Sequence, residues 1–161
     1  FKIYLPRVGD TPGARPEEPS RHGDLQGHET ILIAEDEPGI RALLVRVLNS
    51  RGYTVIAEES GERALQRATE HAGRVDLLVT DVVMPGMTGP ELARRLADVH
   101  PETAALFLSG YTDEVVLKMG VAAGNVAFLQ KPFTHSVFLA KAREVLDRQR
   151  AGQVDAGPSD V

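Results

Sequence analysis

The chain has 161 residues, 42% of them apolar and 25% charged, with a net charge of −5. This excludes a collagen-like, coiled-coil or wholly disordered chain and fits one globular domain with short flanking pieces. Cysteine is absent, which rules out disulfides, thiolate metal sites and a cysteine nucleophile and fits a reducing compartment. No run approaches the ~20 apolar residues of a membrane helix. The acidic balance disfavours non-specific nucleic-acid binding. The chain opens at Phe1 without a signal-peptide pattern and reads as a segment of something longer.

In residues 1–8, Phe1, Ile3 and Leu5 alternate with Lys2 and Tyr4 before Pro6, a strand pattern. Residues 9–28 are rich in Gly, Pro and charge with a single Leu, and read as a flexible linker. The dense, periodic region spans 29–148. Its first strand is Ile31–Ala34, apolar throughout, followed by Pro38 opening a helix with Ile40, Leu43, Leu44, Val47 and Leu48 on one face. Gly52 closes that helix, and Tyr53–Ile56 forms a second strand. Ser60 caps a helix carrying Ala64, Leu65 and Ala68, and Val75–Thr80 forms the third strand. Thr88-Gly89-Pro90-Glu91 has capping-box form before Leu92 and Leu96. Ala104–Leu108 is a fourth strand, and Thr112–Met119 a weak helix burdened by Val115 and Val116 and closed by Gly120. Val126–Leu129 is the fifth strand, and Thr134 caps a last helix with Phe138, Ala142, Val145 and Leu146 on one face. Residues 149–161 read as a disordered tail.

Strands alternating with helices predict a parallel sheet with right-handed crossovers. Strands apolar on both faces need two covering layers. The expected architecture is therefore an α/β three-layer sandwich, flavodoxin-like (βα)5, doubly wound, with strand order 2-1-3-4-5. Function in such sheets sits at the carboxyl ends of the strands. There the sequence places Glu35, Asp36 and Glu37 after the first strand, Asp81 after the third, Ser109 after the fourth and Lys131 after the fifth.

Clustered carboxylates repel one another and need a cation to ionise together. Oxygen-only ligands select a hard ion, Mg²⁺ or Mn²⁺. A lysine and a hydroxyl beside them suit phosphate oxygens, and an aspartate nucleophile forms an acyl phosphate. Phosphoryl transfer onto Asp81 is the chemistry such a set supports. Taken singly, each residue also has an ordinary reading. Glu35, Asp36 and Glu37 suit a helix N-terminus, Asp81 a turn and Lys131 a solvated surface. Their joint fall at the strand ends favours a site.

At these residues the sequence resembles the receiver domain of two-component response regulators. The resemblance rests on Ile31–Glu37, Asp76–Gly89, Leu108-Ser109-Gly110 and Ala127–Phe133. It implies Asp81 as phosphoacceptor, Asp36 as a direct Mg²⁺ ligand and Glu35 as one acting through water. The backbone carbonyl of Val83 would be a further metal ligand, Ser109 the switch hydroxyl, Phe128 the switch aromatic and Lys131 the phosphate-binding lysine. The peptide before Pro132 is usually cis in the family. The acidic pair is Glu-Asp where Asp-Asp is commonest, and Phe128 stands where tyrosine is frequent. Residues 1–6 look like the last strand of a histidine kinase ATP-binding domain. The chain thus resembles the C-terminal receiver of a hybrid sensor histidine kinase, with a free-standing regulator as the alternative.

The module would not itself be an enzyme beyond assisting its own phosphorylation and dephosphorylation. Its implied partners are the dimerisation and phosphotransfer helices of a kinase or a histidine phosphotransfer protein, with no nucleic acid and no membrane contact by this segment. A cytoplasmic location follows, with membrane anchoring of the parent left open. Two other function classes fit the sequence less well. An aspartate-nucleophile phosphatase wants an acid two residues past the nucleophile, where this chain has Val83. A binding module that is never phosphorylated would not need Asp81, Asp36, Ser109 and Lys131 together. No nucleotide-binding loop is present, and no histidine sits in a phosphodonor context.

Overall fold

The computed structural model describes residues 25–110 and 126–154. The expected strand at 1–8, the linker up to residue 24, the weak helix at 112–119 and residues 155–161 lie outside that set. The elements are β1 (Thr30–Ala34), α1 (Pro38–Asn49), β2 (Thr54–Glu58), α2 (Gly61–Glu70), β3 (Leu77–Asp81), α3 (Gly89–Leu96), β4 (Ala104–Ser109), β5 (Val126–Gln130) and α4 (His135–Val154). All strand pairs are parallel, in the order β2-β1-β3-β4-β5. This is the flavodoxin-like α/β fold expected from the sequence.

The continuous apolar strands explain the layering. Ile31 and Ile33 face one side of β1 and pack with Leu44 and Leu48 of α1 and Phe138 and Ala142 of α4. Leu32 and Ala34 face the other side and pack with Ala64 and Ala68 of α2 and Leu92 and Leu96 of α3. Both sets are fully buried, and each buried Leu or Ile contributes about 1.5–3 kcal/mol. Residues at i and i+1 on a strand point oppositely, so two apolar neighbours demand two helical layers.

Local chemistry sets the helix boundaries. Pro38 occupies the first turn of α1, where no amide donor is needed. Ser60 Oγ accepts the Arg63 N–H at 3.3 Å, and Thr88 Oγ1 accepts that of Glu91 at 3.4 Å. The capping box at Thr88 is only half formed, because the Glu91 carboxylate turns to Arg95 at 2.6 Å instead. Gly52, at φ +90°, ends the chain's path out of α1 in a conformation that favours glycine.

Both flanks of the domain depart from the composition-based reading. Leu25 packs against the larger core, and the Gly27 N–H donates to Arg51 O at 3.0 Å. Residues 25–28 thus lie on the domain although their composition resembles the linker. At the other end α4 continues to Val154, into the stretch expected to be a disordered tail. Gln149 is buried, and Arg150 Nη2 lies 2.7 Å from Glu29 Oε1. Glycine and polar composition do not stop a helix when tertiary partners hold it.

Candidate functional site at the carboxyl ends of the strands

Four strand ends build the site. β1 ends at Ala34 and hands the chain to Glu35, which is fully buried, and Asp36, which is exposed. β3 ends in Asp81, half-buried. β4 ends in Ser109 and pairs in register with Gln130 of β5. The Lys131 N–H donates to Ser109 O at 2.7 Å, fixing the chain just past β5, and the Lys131–Pro132 peptide is cis. Register alone therefore brings these positions to one edge.

Lys131 Nζ lies 2.7 Å from Asp81 Oδ1 and 3.0 Å from Glu35 Oε2. Glu35 Oε1 accepts the Glu37 N–H at 3.2 Å. One carboxylate oxygen each from Glu35, Asp36 and Asp81 lie within 4.8 Å of one another. Burial pushes the Glu35 carboxyl up, and the Asp81 charge adds to this while Lys131 offsets part of it. Burial likewise pushes Asp81 up, with Lys131 opposing and Asp36 adding. Burial works against the Lys131 charge, but its bonds to Asp81 and Glu35 outweigh that and hold it above the ordinary lysine value.

Three carboxylates converge with a single ammonium, and Asp81 Oδ1 is buried with no hydrogen-bond donor beyond its ion pair. Burial raises the Glu35 and Asp81 carboxyls despite the nearby Lys131, so a cation would favour their charged forms. An all-oxygen set with one exposed side suits Mg²⁺ or Mn²⁺, which retain several waters. The residues fit the ion.

The structure thus joins Glu35, Asp36, Asp81 and Lys131, and puts Ser109 on the adjacent strand end. Val83 follows two residues after Asp81, its side chain 67% exposed at the rim. Phe128 stands apart from the carboxylates. Its ring stacks on Phe107 at 5.5 Å between centroids and remains 39% exposed.

Sequence reasoning missed three supporting residues. Arg41 Nη1 donates to Glu35 O at 2.6 Å and so ties α1 to the acidic turn. Glu62 Oε1 accepts the Met87 N–H at 2.8 Å. Gly89 lies so close to the Asp81 carbonyl oxygen that a Cβ would collide with it. The glycine next to a proline was visible in the sequence, but its reason was not. Arg41 and Glu62 bear the ordinary marks of exposed helix charges.

Comparison with known proteins agrees with this geometry. The family described as response regulator receiver domain matches residues 31–143. The chain is 40% identical over 156 residues to the sensor kinase CckA of Brucella abortus (strain 2308), covering 92% of this chain and 16% of that kinase. It is 37% identical over 103 residues to the receiver protein CpdR of the same strain, covering 64% of this chain and 84% of CpdR. Among solved structures, the receiver domain of the hybrid histidine kinase CckA superposes with a TM-score of 0.62 at 35% identity, over 73% of this chain and 98% of that one. No helix among the described residues is long and apolar enough to cross a membrane. The parallel five-stranded order, the carboxylates and lysine at its strand ends, and these matches together place the chain in the response regulator receiver domain family of two-component systems.

Proposed function

We propose that this chain accepts a phosphoryl group from a phosphohistidine onto Asp81 and switches conformation in response. The observation that supports it best is the convergence of Lys131 on Asp81 and Glu35 beside exposed Asp36. An Asp81 carboxylate oxygen attacks phosphorus, the new P–O bond forms and the P–N bond breaks, and the donor imidazole leaves with the bonding pair. Bound Mg²⁺ would supply positive charge to the phosphoryl oxygens and cancel carboxylate repulsion. Asp36 would hold it directly, Glu35 through water, and Asp81 and the Val83 carbonyl would complete the protein ligands.

The chain's own groups do the rest. Lys131 is already held within hydrogen-bond reach of Asp81, so its ammonium needs little motion to reach a phosphoryl oxygen. The Ser109 hydroxyl would donate to a second oxygen, and Phe128 would turn inward from its exposed position, a two-state repacking biased by the new charge. As an isolated module the chain catalyses only its own phosphorylation and dephosphorylation.

The chain spans a small part of the kinase it resembles, so its wider setting is also proposed. Residues 1–8 would end a kinase ATP-binding domain and the stretch from residue 9 to about 24 would form the linker, with the receiver running from about residue 25 to the end of α4. The donor would be a kinase phosphotransfer helix or a histidine phosphotransfer protein, in the cytoplasm. Incubation with acetyl phosphate and Mg²⁺, followed by intact mass, tests the core of this. Wild type should gain about 80 Da, the mass of one phosphoryl group, and Asp81→Asn should not. No gain on wild type overturns the proposal.

A further inference from the structure

The backbone between Asp81 and α3 carries one of the proposed metal ligands, the Val83 carbonyl, yet it belongs to no regular element. Its ends are fastened within the sheet. The Val82 N–H donates to Leu108 O at 3.0 Å, and Val82 O accepts the Gly89 N–H at 3.2 Å. Residues 83–88 therefore form a closed loop standing off the sheet edge, with Gly86 at φ +78° forming its bend.

The far side of this loop is held by α2. Glu62 Oε1 accepts the Met87 N–H at 2.8 Å, across 25 residues of sequence. The fit is close on both sides of that bond. A Cβ on Gly86 would meet Glu62 Oε1 at 2.6 Å, and a Cβ on Gly61 would meet Met87 Cβ at 2.9 Å and Met87 O at 3.0 Å. Two glycines thus let the first turn of α2 and the loop approach within bonding distance. The start of α2 is itself fixed by the Ser60 cap. Hydrogen bonds from its own N–H and from Met87 N–H hold the Glu62 carboxyl below the usual glutamate range, so the acceptor is charged, which strengthens the bond.

We infer that Glu62 is a positioning residue for phosphoryl transfer, holding the loop 83–88, and with it the Val83 carbonyl, where the metal site requires it. This rests on the function proposed above. Glu62 touches neither the ion nor the phosphoryl group. Outer partners that orient metal ligands typically cost about 10- to 100-fold in metal affinity when removed. A part-buried bond accepted by an exposed glutamate belongs at or below the lower end of that range.

The test is calorimetric titration of Mg²⁺ into the full chain, wild type against Glu62→Ala and Glu62→Gln, with Glu70→Ala as a control on the same helix. Glu62→Ala should raise the Mg²⁺ Kd about three- to tenfold. Glu62→Gln keeps an oxygen acceptor and should stay within about twofold, as should Glu70→Ala. A purely structural role as a helix N-terminal acid predicts lowered melting temperatures for both Glu62 variants with unchanged Mg²⁺ affinity, and that result overturns the inference. Failure of Glu62→Gln to restore affinity overturns it as well. If wild type binds no Mg²⁺ and acquires no phosphoryl group from acetyl phosphate, the receiver function itself falls and this inference falls with it.

Discussion

At the end of the sheet opposite the carboxylate site, Glu29 is 3% exposed and is met by two arginines of α4. Arg143 Nη2 lies 2.8 Å and Arg150 Nη2 2.7 Å from the same oxygen, Glu29 Oε1. The other oxygen accepts the His28 N–H at 3.0 Å. Replacing Glu29 by Gln removes the charge while preserving shape. Losing one partner of a fully buried pair costs about 3–5 kcal/mol, because the other charge is left uncompensated. Arg143 keeps Asp147 at 2.8 Å and the Tyr53 hydroxyl at 3.4 Å, which brings the expected cost to about 2–3 kcal/mol. Arg150 is half in solvent and adds no more than about 0.5 kcal/mol. For a domain of this size, about 4 °C per kcal/mol gives a fall in Tm of roughly 8–12 °C. Thermal unfolding followed by circular dichroism at pH 7 measures it, and hydrogen exchange should show the amides of 147–154 opening first. A fall under about 3 °C, or an equal fall for Arg150→Ala, would refute the account of a buried clamp centred on Arg143.

Three further outcomes are expected. Asp36→Asn should weaken Mg²⁺ binding by tenfold or more and Glu35→Gln by less, since Asp36 is the proposed direct ligand; equal losses by calorimetry would contradict the assignment. Gly39, Ala42 and Arg46 lie exposed along α1. Ala42→Asp should therefore slow phosphotransfer from a histidine donor at least tenfold, by obstructing close approach, while acetyl phosphate labelling stays intact. Loss with both donors would indicate pocket damage. The third outcome concerns pH without metal. Glu35 and Asp81 are raised in the fold, so the folded state binds more protons than the unfolded state above their ordinary values of 4.5 and 3.8. Their contribution is present at acid pH and is lost as pH rises through the folded values. In EDTA, the Tm should rise as pH falls from 7 to 5, and Asp81→Asn should flatten that slope; identical slopes would disprove the coupling. Glu29 titrates the opposite way. Burial opposes its charge, but Arg143 and Arg150 hold it below 4.5, so its contribution is lost only at pH below that range.

Much of this molecule was legible from residues in order. The apolar strands Ile31–Ala34 and Leu77–Val79 announce burial on both faces, which leaves a helix-covered parallel sheet as the solution. Ser60, Thr88 and Thr134 mark helix starts because a cap acts through local hydrogen bonds, and Pro38 does so because its fixed φ and missing N–H suit the first turn. Glu35, Asp36, Asp81, Ser109 and Lys131 could be placed at strand ends because strand boundaries are local too. Contacts between distant residues were not legible. Nothing near Glu62 announces its bond to Met87, and nothing near Gly89 announces the Asp81 carbonyl pressed against it. The extension of α4 to Val154 and the seating of residues 25–28 depend on Glu29, Tyr53 and Arg143 meeting across the domain. Periodicity and caps report energies set within a few residues. A charge clamp or a backbone collision is set by chain segments that become neighbours only after the sheet has closed, so only the tertiary structure decides it.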